Sequence, residues 1–441
     1  MYDSNQIFRR RDSMEKYQLL EKYRYRVNSD QTEIEKEYQR RLNGYATVQT
    51  TMIPTLMTKD GFQDKKYPIF FIETRKINQL TSNVNKLSRK IMNLTHAGGL
   101  PIIAQSSFIN SLLANEIYFT NQIEGVQTNK KQIGTIIGEI NTVEGNQTTT
   151  KRKSRRLEST IKMYNDTLKG NLIQIREPND VRKIYDQLLE KEISADKLPD
   201  GNYFRNSKVR IGTDTATVHL PPVNESEILN AIMQLIEFMN DDSLNEILKA
   251  IVTHFMFENT HPFYDGNGRT GRYLLSSYLS NKVDPLTGIS ISTAIHENVQ
   301  KYYREFKSAG SVENRGDLTL FITALLEIIV SGQENVINKL TDLRDELNEK
   351  EKQMRVKVGT SVTAEEFQVL YVLLQSALFS TMDESGIKDN ELIDFLNKVD
   401  HRAYSRQKVH RIIDKFEKQG TIIKIQGRPK QHKLNQEYLD N

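Results

Sequence analysis

Between residues 261 and 272 the chain reads HPFYDGNGRTGR, with a histidine, an aspartate, three glycines and two arginines close together. Gly266, Gly268 and Gly271 have the spacing G-x-G-x-x-G. A dinucleotide fingerprint with that spacing follows a strand and opens a helix inside a βαβ unit. Here the preceding residues carry helical periodicity, and Asp284, near the distance of a ribose-binding acid, sits in NKVDPL ahead of a proline. A P-loop needs Lys-Ser/Thr where Arg272 and Tyr273 stand. What remains is a tight glycine turn between two helices. Its N–H groups and the dipole of the second helix favour an anion. Gly266 and Gly268 let the backbone close on phosphate oxygens, and Asn267 adds a neutral donor. Arg269 and Arg272 suit phosphate oxygens bidentately. The Asp265 carboxylate can hold Mg²⁺ that bridges phosphates, and His261 can take a proton from a hydroxyl. The chemistry is attack on a nucleotide phosphate.

The elements that must position these groups are mostly helical. Ile109, Leu112, Leu113, Ile117 and Ile123 define a helix over about 102–124, and helical spacing returns at about 178–192. NTVEGNQTTTKRKSRR reads as a loop. Residues 201–222 read as a short hairpin, with its Gly, Thr and Val content and closing Pro221–Pro222. A helical face formed by Leu244, Ile247, Leu248, Ile251, Val252, Phe255 and Met256 runs through 225–258. Leu274, Leu275, Tyr278 and Leu279 resume the period after the glycine turn, and helices continue to about 356. In 360–441 the order is helix, helix, helix, strand, wing, strand, the order of a winged helix. The expected fold is mainly α. Its expected segments are a charged N-terminal extension (1–64), a helical region (65–150), a core (151–330), a connecting helix (331–356) and a winged helix (357–441).

The length of 441 residues implies two or three domains. A net charge of +4 requires neither a nucleic-acid nor a membrane partner. The chain has no cysteine, which excludes disulfides, thiolate catalysis and cysteine metal sites. The N-terminus shows no apolar signal segment, and LFITALLEIIV (320–330) is too short for a membrane span. The expectation is a cytoplasmic protein. His96, His219, His254, His296, His401, His410 and His432 show no metal-ligand spacing.

HPFYDGNGRTGR fills every fixed position of the Fic-family signature H-x-F-x-[D/E]-G-N-G-R-x-x-R, and the resemblance extends over about residues 65–330. It implies a helical core with a hairpin flap, and transfer of AMP from ATP to a Ser, Thr or Tyr hydroxyl of a protein, with Mg²⁺. His261 is then the general base and Phe263 orients the loop. Asp265 takes the metal, and Gly266, Asn267 and Gly268 form the anion hole. Arg269 and Arg272 hold the β- and γ-phosphates, and Thr270 and Gly271 complete the nucleotide-binding stretch. Asn298, Tyr302 and Tyr303 line the adenosine side. The flap, near 208–220, docks the target backbone through Val209, Ile211, Val218, His219 and Leu220. TNQIEG (120–125) is similar to the inhibitory motif [S/T]-x-x-x-E-[G/N]. By that resemblance Thr120, Glu124 and Gly125 belong to an N-terminal inhibitory helix, and Glu124 pairs with Arg272. Removal of AMP is an implied second activity, and relatives form homodimers.

From Lys398 to Lys433 basic residues far outnumber acids, an excess hidden in the whole-chain charge. It falls on the expected recognition helix and wing, so DNA is a candidate partner. A DNA-binding regulator whose Fic part senses nucleotide is the competing reading. Intact His261 favours the enzyme, since a sensor needs no base.

Overall fold

The computed structural model describes residues 17–95, 99–145, 155–212, 217–379, 386–399, 404–435 and 437. Helices α1 (Leu20–Arg26) and α2 (Gln31–Leu42) precede strands β1 (Thr47–Gln49), β2 (Leu56–Met57), β3 (Gln63–Asp64) and β4 (Phe70–Ile72). Then come α3 (Arg75–Thr95), α4 (Ile102–Ile123), α5 (Lys130–Gly145), α6 (Glu158–Leu168) and α7 (Pro178–Leu188). The flap strands β5 (Ile211–Gly212) and β6 (Thr217–His219) are followed by α8 (Glu225–Met239), α9 (Glu246–Thr260) and α10 (Asn267–Lys282). The remaining elements are α11 (Pro285–Gly288), α12 (Ile291–Glu297), α13 (Val299–Ala309), α14 (Thr319–Val358), α15 (Ala364–Phe379), β7 (Ile387–Lys388), α16 (Asp389–Val399), α17 (Arg406–Lys418), β8 (Ile422–Gly427) and β9 (Lys430–Leu434). The fold is mainly α, and its strands form small antiparallel sheets.

One apolar core runs from Met52 to Leu434. Its axis is the 40-residue helix α14, whose buried Ile322, Leu326, Ile329, Val336 and Leu340 pack against α3 and α13. The apolar part of α14 has the length and hydropathy to cross a membrane, yet two thirds of that window is buried inside the protein. The expected junction at 330/331 carries no break, because apolar spacing continues through Ile337 and Leu347. The expected run 225–258 is two helices. Asn240 ends α8 by donating its side-chain N–H to the Ile236 carbonyl, and the Asn245 side chain caps α9. The loop expected at 141–156 begins later, since α5 continues to Gly145; residues 146–154 lie outside the described residues. His96 and His401 also lie outside them.

The segment before residue 65 is tied into this body. Strand β1 pairs with β4 in the register Val48↔Phe71, across the boundary expected at 64/65. Leu20, Tyr38 and Phe70 form a second, small apolar cluster. Below it Arg41, 6% exposed, donates to Glu37 (2.7 Å) and to the Gln18 carbonyl (2.6 Å). It also stands 3.6 Å from the buried Asp317, which accepts from the Tyr17 hydroxyl at 2.5 Å. Burial raises the Asp317 carboxyl above its usual range, and Arg41 opposes that rise. Removing one partner of a buried charge pair costs more than the pair contributes, because the other charge is stranded. Arg41→Ala is therefore expected to destabilise the protein by about 3–5 kcal/mol. Arg40→Ala, which removes an exposed partner of Glu37, is expected to cost about 1 kcal/mol or less. Denaturant unfolding of the two variants checks the contrast.

Candidate active site

Helix α9 delivers His261. The helix stops because Pro262 follows and disfavours helical geometry at the residue before it. His261 takes the left-handed conformation (φ 49°, ψ 61°) as the C-cap, and its N–H donates to the Phe257 carbonyl. A non-glycine residue there costs roughly 1–2 kcal/mol and needs external support. Arg205 supplies it. This fully buried side chain donates from Nε to the His261 carbonyl (2.9 Å), and its backbone N–H donates to the Pro262 carbonyl (3.0 Å). The residue as a whole is half-buried. Loss of water around it, then the neighbouring His219 and Arg205, push its pKa down to about 3. At neutral pH it is an unprotonated base.

The loop is built around Phe263, which stacks on Tyr185 (3.7 Å between centroids, 13°) and meets Phe204 edge-on. The Asn267 side chain closes the loop on this anchor. Its Oδ1 accepts from the Phe263 N–H (2.9 Å), and its Nδ2 donates to the Phe263 carbonyl (2.8 Å). Asn267 was expected to offer its amide to a ligand; it braces the loop instead. Gly266 has φ +82°, and a Cβ there would overlap Leu189. The Gly266 carbonyl accepts from both the backbone N–H and the hydroxyl of Thr270. The N–H groups of residues 267–269 therefore form the open first turn of a 16-residue helix. Thr270 and Gly271, expected at the nucleotide, face inward: Thr270 bonds Gly266, and a Cβ on Gly271 would overlap Glu258. Helical rotation turns them away from the mouth.

The two arginines go to different partners. Arg269 is buried against Glu192 (3.0 Å), with Asp265 at 3.6 Å. Arg272 is buried against α4. Its Nε donates to the Thr120 hydroxyl (2.9 Å), and its Nη2 donates to the Thr120 carbonyl (3.1 Å) and to Glu124 Oε1 (2.8 Å). Burial alone would weaken the Arg272 charge, but the Glu124 carboxylate holds it firmly protonated. Glu124 sits at the C-cap of α4, followed by Gly125 at φ +68°. The Val126 N–H donates to the Asn121 carbonyl and the Gly125 N–H to the Gln122 carbonyl, a Schellman closure. That geometry explains glycine at 125. The Glu124 carboxylate rests on the bare Cα of Gly268, where a Cβ would overlap it. An anion thus already occupies the mouth of the helix.

Asp265 is exposed at the loop edge. A single carboxylate oxygen site fits Mg²⁺, which keeps several waters and shares its shell with phosphate oxygens. Among the described residues no cluster of His, Asp or Glu is arranged to hold a metal alone.

The expected adenosine-side residues divide. Asn298 caps the end of α12, its Nδ2 donating to the Ala294 carbonyl. Tyr302 is buried, its hydroxyl 2.9 Å from His254 Nε2, and His254 Nδ1 meets the Gly271 carbonyl. Tyr303 is 49% exposed and is the one of the three with a ring open to a ligand. The flap divides likewise. Val218 is exposed and Ile211 half-buried, while Val209 precedes β5. His219 and Leu220 anchor the flap instead of docking a target. His219 Nε2 lies 2.7 Å from the Asn259 carbonyl, and the Leu220 carbonyl accepts from Gln63. Alternation along β6 turns Val218 out and His219 in. Residues 213–216, at the hairpin tip, lie outside the described residues.

Sequence reasoning missed Arg205, Glu192, Glu116 and Glu258. Glu116 is fully buried and accepts from the backbone N–H (2.8 Å) and hydroxyl (2.6 Å) of Ser292, locking α4 to α12. Glu116 and Glu258 each interrupt an apolar helical run, and that was their signal. Arg205 and Glu192 lie in polar stretches and had none. Burial raises the Glu258 pKa to about 8, so it is uncharged near neutrality. A carboxyl raised in the folded state makes folding less favourable as pH climbs from the unfolded value towards the folded one. Stability is therefore expected to fall between about pH 5 and 8, and Glu258→Gln to flatten that fall. Thermal unfolding against pH checks it; parallel profiles for the two proteins would mean an ionised Glu258 throughout.

Comparison with known proteins places part of the chain beside one family. Residues 176–279 match the Fic/DOC family. The chain is 25% identical over 175 residues to protein adenylyltransferase fic-1 of Caenorhabditis elegans, covering 36% of this chain and 31% of that protein. It is 27% identical over 230 residues to protein adenylyltransferase Fic of Nematostella vectensis, covering 51% and 48%. The chain thus spans about a third to a half of the length of these curated relatives. A solved Fic family protein from Desulfovibrio desulfuricans G20 superposes with a TM-score of 0.46 and 15% identity, over 82% of this chain and 96% of that one.

Proposed function

We propose, from the Fic domain that residues 176–279 form, that the protein transfers AMP from ATP to a Ser, Thr or Tyr hydroxyl of a target protein and of itself. The observation that carries this reading is the neutral His261 imidazole, on a half-buried residue at the rim of the glycine turn. A target segment adds as a strand along the flap, beside Ile211 and Val218. His261 takes the proton of its hydroxyl. The hydroxyl oxygen bonds to the α-phosphorus, and the bond to the β-phosphate oxygen breaks, releasing pyrophosphate. The N–H groups of residues 267–269 and the Arg272 guanidinium offset the charge that builds on the phosphoryl oxygens. Asp265 would hold Mg²⁺, which screens the phosphate charges.

In the resting state Glu124 restrains this chemistry. Its carboxylate competes with the γ-phosphate for Arg272 and for the space over Gly268. Glu124 is 31% exposed at the helix end, so it can swing away without moving the helix. Removal of AMP from the modified hydroxyl at the same site is part of the proposal. The competing reading, a regulator that senses nucleotide, leaves the imidazole without a use.

Glu124→Gly is expected to raise transfer, self-modification included, by roughly tenfold or more, the scale of one charge-assisted hydrogen bond. Label is expected to pass to protein from α-labelled and not from γ-labelled ATP. An unchanged rate, or label from the γ position, removes the reading. His261→Ala is expected to lower transfer by about 10²–10⁴-fold while ATP affinity, read by calorimetry, is retained. Loss of ATP binding in a folded His261→Ala protein would contradict its role as base.

A further inference from the structure

We propose that the C-terminal module, residues 364–435, binds duplex DNA, with α17 in the major groove and the β8–β9 hairpin on the flanking phosphates. The inference is independent of the catalytic reading. The module runs α15, β7, α16, α17, β8, β9, and its sheet has the order β7-β9-β8. That is the order of a winged helix, in which the last helix and the hairpin lie side by side; α17 and β8 are in contact.

The charges on this module are sorted by position. Val409, Ile412, Ile413 and Phe416 bury one side of α17. On the flank facing α15, Lys408 pairs with Glu365 (2.5 Å) and Lys415 with Glu366 (2.8 Å). The cations turned outward are treated differently. Arg411, Lys418, Lys424, Arg428 and Lys430 are exposed in the whole chain and make no ion pair among the described residues. No acid occurs from Thr421 to Asn435. Fold stability does not explain this arrangement, since five like charges repel one another, and Glu365 and Glu366 pair with Lys408 and Lys415 on the inner flank instead.

A duplex supplies what is missing, a regular array of phosphates along a groove wide enough for a helix. The outward positions in the first half of α17 include Gln407 and Arg411, the side-chain types that bond adenine and guanine edges bidentately. The exposed acids Asp414 and Glu417 lie in the second half. The N-terminal half of α17 is therefore the end that enters the groove.

The test uses the full chain, a mixed-sequence 24-base-pair DNA duplex and fluorescence anisotropy across a salt series. Affinity is expected to fall as salt rises. Replacing Lys424, Arg428 and Lys430 together by alanine is expected to reduce the slope of log affinity against log salt by about 2–3, near 0.9 for each phosphate left unneutralised. The same change at Lys86, Arg89 and Lys90, exposed on α3, is expected to leave it unaltered. Three results would overturn the proposal: no duplex binding at low salt, equal losses in the two triple variants, or equal competition by a duplex RNA, whose deep, narrow major groove excludes a helix. The first would leave the module as a surface for a protein partner.

Discussion

A guanidinium taken out of water keeps its proton and must find acceptors for its N–H groups, charged or dipolar. Arg272 is 1% exposed, and the arrangement around it follows from that constraint. Thr120 satisfies two of its N–H groups with neutral oxygens, and Glu124 supplies the charge. Glu258, nearby and raised by burial, is a carboxyl that stays neutral while Glu124 is in place. An incoming phosphate would be a second anion asking for the same guanidinium. Whichever anion is present, the site needs one, so a carboxylate that leaves must be replaced.

That constraint explains why α4 is held so firmly along its length and so lightly at its end. Leu113, Ala114 and Ile117 are wholly buried, Glu116 is locked to Ser292, and α15 packs along the same helix. The Ser111 hydroxyl donates to the Phe379 carbonyl at the end of α15. The last turn, closed by the Gly125 motif, borders solvent. Displacing the whole helix would break the core, whereas turning one glutamate breaks its hydrogen bond to Arg272. The C-terminal module is therefore fastened to the helix that carries Glu124.

The local features of the site were legible in the sequence. The helix–turn–helix around residues 261–272 came from apolar spacing on both sides of a Gly-Asn-Gly turn. The expectation of a phosphate ligand came from glycines and arginines at a helix start. Glu124 was singled out through resemblance to a family motif, since nothing about a glutamate at a helix end distinguishes it from a solvated one. Several site assignments changed once side chains had directions. Asn267 braces Phe263, Thr270 bonds back to Gly266, Tyr302 supports His254, and His219 fastens the flap. In each case a residue of suitable chemistry for a ligand was taken by a nearer backbone group or side chain, which periodicity does not reveal.

The sequence by itself determined which segments are helical, where the glycine turn falls and which residue types stand at the helix mouth. These depend on backbone preference and spacing over a few residues. Only the tertiary structure decided which partner each buried charge receives: Glu124 for Arg272, across 148 residues, and Glu192 for Arg269, across 77. It also decided that Arg205, in an unremarkable polar stretch, would hold His261 in its left-handed conformation. A charge removed from water takes the opposite charge or dipole that packing brings within reach, and that choice is made by how distant elements stack.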